Sequence, residues 1–113
     1  MKYLVSIYRP TGYEASVVEG PEMHAAIDAV NDEMVAKGIR VFVGGLKAPS
    51  MSLAIRTDAD GKAIVTDGPY IETKEHIGGF WVLEASSQEE IIEWGRKASI
   101  ACCAPVEIRP FFG

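Results

Sequence analysis

Cysteine is scarce in this chain of 113 residues: there are two, Cys102 and Cys103, side by side. Neighbours in sequence close a disulfide only with severe backbone strain, and with no second pair and no nearby His they lack the spacing of a zinc site. Nor do they match the pair of a redox enzyme, which has two residues between its thiols. Free thiols, buried or half-buried, are expected. No apolar run approaches the roughly 20 residues that a membrane-spanning helix requires. The opening Met1-Lys2-Tyr3-Leu4-Val5-Ser6-Ile7-Tyr8 is too short and too β-like for a secretory leader. A cytoplasmic protein without a membrane partner is therefore expected. Positive charge is short as well: 11 Lys and Arg stand against 16 Asp and Glu, a net charge of −5, and the basic residues are scattered. A phosphate-binding surface clusters its cations, so this balance argues against nucleic acid and leaves a small organic ligand or a protein as the better partner. Repeats, linkers and low-complexity stretches are missing, and no motif asks for haem, flavin, nicotinamide or metal.

What the chain does have is 48% hydrophobic residues with 24% charged ones, the balance of one globular domain spanning residues 1–113. Residues 2–8 alternate, with Tyr3, Val5 and Ile7 on one parity, which predicts a strand that Arg9-Pro10-Thr11-Gly12 breaks. Gly20-Pro21 then precedes a stripe of Met23, Ile27, Val30 and Met34, and Lys37-Gly38 supplies a basic last turn and a stop, predicting a helix over 21–37. Ile39 to Val43 reads as a second strand ended by Gly44-Gly45, a pair suited to a bulge at the mouth of a site. The segments 53–57 and 62–66 flank Asp60-Gly61, whose turn chemistry predicts a protruding hairpin. Phe80 to Ala85 is the most apolar strand. Ser86-Ser87-Gln88-Glu89-Glu90 offers capping-box residues for a helix over about 88–98 carrying Ile91, Trp94 and Ala98. Val106 to Arg109 closes the order as a final strand.

That order, β-α-β, hairpin, β-α-β, is the ferredoxin-like arrangement of an α+β domain, with both helices on one face of an antiparallel sheet. Phe80 and Val82 share one parity and Trp81 and Leu83 the other, so both faces of this strand are apolar although only one can meet the helices. A homodimer in which two sheets face each other would cover the second face, and Trp81 and Leu83 are the residues expected to probe it.

The densest polar stretch is Asp67-Gly68-Pro69-Tyr70-Ile71-Glu72-Thr73-Lys74-Glu75-His76-Ile77-Gly78-Gly79-Phe80. Gly68 and Pro69 restrict the backbone, so the loop is expected to be shaped, with Gly68 at positive φ and Asp67 held by backbone amides. Asp67, Glu72, Glu75, His76 and Lys74 together form a set able to exchange a proton with a ligand. Crowding and desolvation would raise one carboxyl towards neutrality, so at least one of Asp67, Glu72 and Glu75 is expected to point into a cavity. The same residues also read as a braced turn with a solvated charge cluster. His24 and Asp28, four apart on the first helix, share a face and read either as a dyad with His24 as base or as a surface pair.

The polar run closely resembles the signature of the DGPF proteins, a branch of the YCII-related family, whose pattern is Asp-Gly-Pro-Phe, a variable residue, Glu-Thr-Lys-Glu, two variable residues and Gly-Gly-aromatic. Met1-Lys2-Tyr3, Lys37-Gly38, Gly45-Leu46 with Pro49, and Val106 to Pro110 match in order and rough spacing. Tyr70 stands where Phe is usual, and His76 where Gln or an apolar residue is common. The resemblance implies a dimeric α+β barrel, and relatives are similar to muconolactone-type enzymes. If the chain is an enzyme, the groups available allow cofactor-independent proton transfer, as in an isomerase, lyase or dehalogenase. In that reading Asp67 or Glu72 is acid or base, Lys74 faces an anionic substrate, and Tyr70 and Trp81 are apolar walls. The alternative it implies is a ligand sensor without catalysis, since DGPF domains keep company with extracytoplasmic-function sigma factors. A monooxygenase rests on shared barrel architecture alone.

Overall fold

A computed structural model describes residues 1–113. Its main sheet holds β1 (Lys2–Pro10), β2 (Arg40–Gly45), β5 (Glu75–Glu84) and β6 (Val106–Pro110), in the order β2-β5-β1-β6. Each neighbouring pair is antiparallel. Between these strands run a one-turn helix α1 (Ala15–Val18), the long helices α2 (Pro21–Ala36) and α3 (Gln88–Cys102), and a separate hairpin of β3 (Leu53–Thr57) and β4 (Ala63–Asp67). This is the ferredoxin-like α+β fold.

The helix boundaries follow local chemistry. Pro21 occupies the first turn of α2, where its missing N–H costs nothing, and Gly38 follows the helix with φ 68°. Ser87 caps α3 by accepting the Glu90 amide at 3.1 Å. Glu90 reaches back to the Ser86 amide at 3.0 Å and hydroxyl at 2.6 Å, and those bonds hold its carboxyl below the usual carboxylate range. Past the expected end at residue 98, α3 continues because Ala101 and Cys102 still have core to cover.

Both long helices lie on one face of the sheet. Val30 and Met34 of α2 and Ile91, Trp94, Ala98, Ala101 and Cys102 of α3 form one buried cluster with Val5, Ile7, Trp81 and Leu83. The parity of β5 is thereby resolved: Trp81 and Leu83 meet the helices, while Phe80 and Val82 face the uncovered side. Trp81 and Leu83 are core residues and do not probe a second interface. On the open side the Phe42 and Phe80 rings lie 5.8 Å apart, and Leu4 pairs with Val82.

Two expectations about the signature run need correcting. Glu75 to Gly79 belong to β5 rather than to a loop, because β1 runs to Pro10 and its backbone pairs with Glu75. Asp67 is paired through its backbone with Leu53 at the hairpin's base, and no backbone amide bonds its carboxylate. The aspartate that receives amides is Asp58, whose Oδ1 accepts from Asp60 and Lys62 at 2.9 Å each. Gly68 does adopt φ 96°, and its amide donates to the Ser52 carbonyl at 2.7 Å.

Candidate functional site

The parity Tyr3, Val5, Ile7 continues to Arg9, so a strand that buries apolar residues ends by aiming a guanidinium at the helix face. Room for it comes from the pairing of β1 with β5, whose register shifts between Ile7 and Tyr8 and skips Gly78. A Cβ at Gly78 would stand 2.6 Å from Arg9 Cγ, closer than real carbons approach. Arg9 thus crosses the strand and donates to the Cys102 carbonyl at 2.7 Å, at the C-terminal end of α3. Its guanidinium also lies over the Tyr13 ring, 4.4 Å from the centroid.

Glu19, just ahead of α2, meets this group. Its Oε2 accepts from the Tyr13 hydroxyl at 2.8 Å and from Arg9 at 3.4 Å, and its Oε1 lies 3.3 Å from His24 Nε2. The side chains of Arg9 and Glu19 are only 13% and 17% exposed, whereas that of His24 is 61% exposed. Burial and the hydrogen bond to Glu19 push the Tyr13 phenol up to about 12. Burial also pushes the Cys102 thiol up, which keeps it protonated and poorly nucleophilic.

Arg9, Tyr13 and Glu19 form part of the wall of a cavity of about 870 Å³, floored by Ile7, Ile27, Val43 and Trp81. Asn31 fixes that floor: its Oδ1 accepts from Trp81 Nε1 at 2.9 Å and from Arg40 at 3.1 Å, while its Nδ2 donates to the Ile27 carbonyl at 3.1 Å. Gly44, Gly45, His76 and Gly78 also line the space. An apolar floor with a mostly buried carboxylate in one wall suits a small organic molecule with one polar end.

Of the residues expected from the sequence, His76 and Trp81 line this cavity. His24 reaches its edge through Glu19 rather than through Asp28, which is exposed further along α2. Asp67, Glu72, Lys74 and Glu75 are exposed in the single chain and outside the cavity. Tyr70 is exposed too, stacked on the Arg56 guanidinium at 4.8 Å. The signature loop is nevertheless tied to the site's rim, because Thr11 donates from its amide to the Lys74 carbonyl at 2.8 Å and from its hydroxyl to the Thr73 carbonyl at 2.7 Å. Arg9, Tyr13, Glu19 and Asn31 are the polar groups that sequence reasoning missed. For Arg9 the signal was there, a charge on the core parity of the first strand; the others become neighbours only through tertiary folding.

The chain is 34% identical over 64 residues to an uncharacterized protein of Rhizobium meliloti (strain 1021), a match covering 55% of this chain and 52% of that protein, so it spans about half the curated relative's length. The model of the YCII-related domain matches residues 1–112, and the chain belongs to that family.

Proposed function

We propose that this chain is a homodimeric, cytoplasmic protein of the DGPF branch whose cavity binds a small molecule and moves a proton on it without a cofactor. The observation that carries this reading is the position of Glu19: its carboxylate stands in the cavity wall, between Tyr13 and Arg9 on one oxygen and the exposed His24 on the other. Tyr13, protonated up to about pH 12, acts only as a donor that fixes one oxygen. Arg9 supplies the opposing charge. The remaining oxygen accepts a proton from a bound ligand, and His24 exchanges it with water. Returning that proton at another atom of the same molecule is an isomerisation; losing it together with a leaving group is a lyase or dehalogenase step. The DGPF assignment rests on the signature residues 67–80.

Ligand sensing without chemistry is the second reading, and the exposure of Asp67, Glu72, Lys74 and Glu75 favours it, since none of them borders the cavity in a single chain. The two are separated by screening small metabolites for a raised melting temperature and then following any hit with wild type and Glu19→Gln by NMR. Conversion by the wild type and none by Glu19→Gln is the expected result. A ligand bound but unchanged by both leaves the sensing role. A hit whose binding is indifferent to bulk introduced at Val43 or Ile27 would sink the cavity as the site.

A further inference from the structure

The β3–β4 hairpin is a two-stranded sheet hydrogen-bonded to no other strand, a construction only marginally stable alone in water. One of its faces is covered in part by its own chain. Ala54 is buried there, and Arg56 on the same parity stacks on Tyr70 and donates to the Tyr70 carbonyl at 3.5 Å. The other face is bare. Leu53, Ile55 and Val65 share it, with Ile55 directly opposite Val65, and they are 70%, 65% and 60% exposed.

The whole molecule carries the same imbalance. Its radius of gyration is 16.2 Å, against about 13 Å for a compact domain of this length. Its accessible surface is 7844 Å², whereas a compact monomer of this mass exposes about 6,100 Å². The excess is about 1,700 Å² per chain, so two chains hiding it from each other would remove about 3,400 Å², within the range of obligate homodimers. Two apolar surfaces contribute: the arm's bare face, and the open sheet face with Leu4, Phe42, Phe80 and Val82. In an isologous pair each copy both offers and receives, so one two-fold axis satisfies both surfaces in both chains.

We propose that the β3–β4 hairpin is an arm whose Leu53–Ile55–Val65 face packs on a second copy of this chain, beside the sheet-to-sheet contact. The inference rests on the homodimer reading above and adds to it the arm as an interface. Charge speaks against an anionic lipid surface as the occupant, because residues 53–67 carry Asp58, Asp60 and Asp67 against Arg56 and Lys62. The bare face itself adds only Thr57, Ala63 and Asp67 to its three large apolar residues.

The test compares dimer affinity by analytical ultracentrifugation for wild type, Ile55→Glu, Val65→Glu and the control Ile100→Glu, which places the same charge at an exposed position on α3. Both arm variants should weaken the dimer by about tenfold or more, the control should not, and all should keep wild-type circular dichroism. Amide exchange on the wild type decides the matter should a variant misfold: amides of residues 53–67 should be protected in concentrated solution and lose protection on dilution. A dimer of unchanged affinity in the arm variants, with arm amides indifferent to concentration, overturns the arm and leaves the homodimer standing. A wild type that is monomeric throughout overturns both, whereas an arm protected only when a different protein is added overturns the arm alone.

Discussion

Tyr13 shows how one residue couples the site to pH. Its phenol keeps its proton to about pH 12 in the folded chain, against an ordinary value of 10.0, because it is partly withdrawn from water and donates to Glu19. Between those values the folded state binds a proton that the unfolded state has released. The contribution to stability is therefore complete below pH 10 and is lost as the pH rises through 12. Tyr8, raised by burial and by Glu107, acts with the same sign and is common to wild type and variant. Denaturant titrations of wild type and Tyr13→Phe across this window should show the steeper alkaline loss in the wild type. Below pH 9 the variant should be less stable by about 1–3 kcal/mol, the worth of a hydrogen bond to a charged acceptor. Equal alkaline slopes would mean that Tyr13 does not hold its proton in the fold. Arg9 and Glu19 belong to the same scale: as a mostly buried pair, each makes removal of the other costly, so Glu19→Ala is expected to destabilise by about 2 kcal/mol or more by equilibrium unfolding.

Among the elements, β5 explains both what could be read from the sequence and what could not. Its apolar half, the unbroken run Phe80 to Leu83, lies where the pattern places it, as do α2, the hairpin and β6. Its polar half, Glu75 to Gly79, carries charges and two glycines that speak for a loop, yet it is strand because β1 offers backbone partners as far as Pro10. Pairing partners distant in sequence leave no mark on local pattern. The candidate site suffered in the same way. Attention goes to the crowded charges of residues 67–76, most of which are exposed, while the polar cluster of the cavity wall is assembled from isolated residues at positions 9, 13 and 19 that meet only in three dimensions, with Asn31 bonded separately to Trp81 in the floor. Gly78 is the link between the two, since it belongs to the signature yet acts by leaving space for Arg9. Gly78→Ala should cost about 1–3 kcal/mol through the forced shift of Arg9 or of the strand. Thermal unfolding measures the cost, and Arg9→Ala in the same background should relieve part of it. Additive losses would place the role of Gly78 elsewhere.

For the molecule as a whole, the sheet's open face is the feature to test by mutation. Phe80 and Val82, not Trp81 and Leu83, carry the side away from the helices. Val82→Asp should therefore leave the helix-covered core folded while shifting the proposed homodimer to the monomer in sedimentation, whereas Leu83→Asp should unfold the chain. A Val82→Asp variant with wild-type sedimentation would remove the sheet face from the interface. The central place of β1 has a consequence in time. Residues 2–10, the first of these strands to be synthesised, sit between β5 and β6, the last two, and cannot complete the sheet until residue 110 is available. At ribosomal speeds that interval is roughly 5–20 s. Val5 and Ile7 wait without their β5 partners until Gly79 and Trp81 are made and without their β6 partners until Val106 and Ile108 are, so folding speed and loss to aggregation depend on how quickly segments this far apart in sequence find each other.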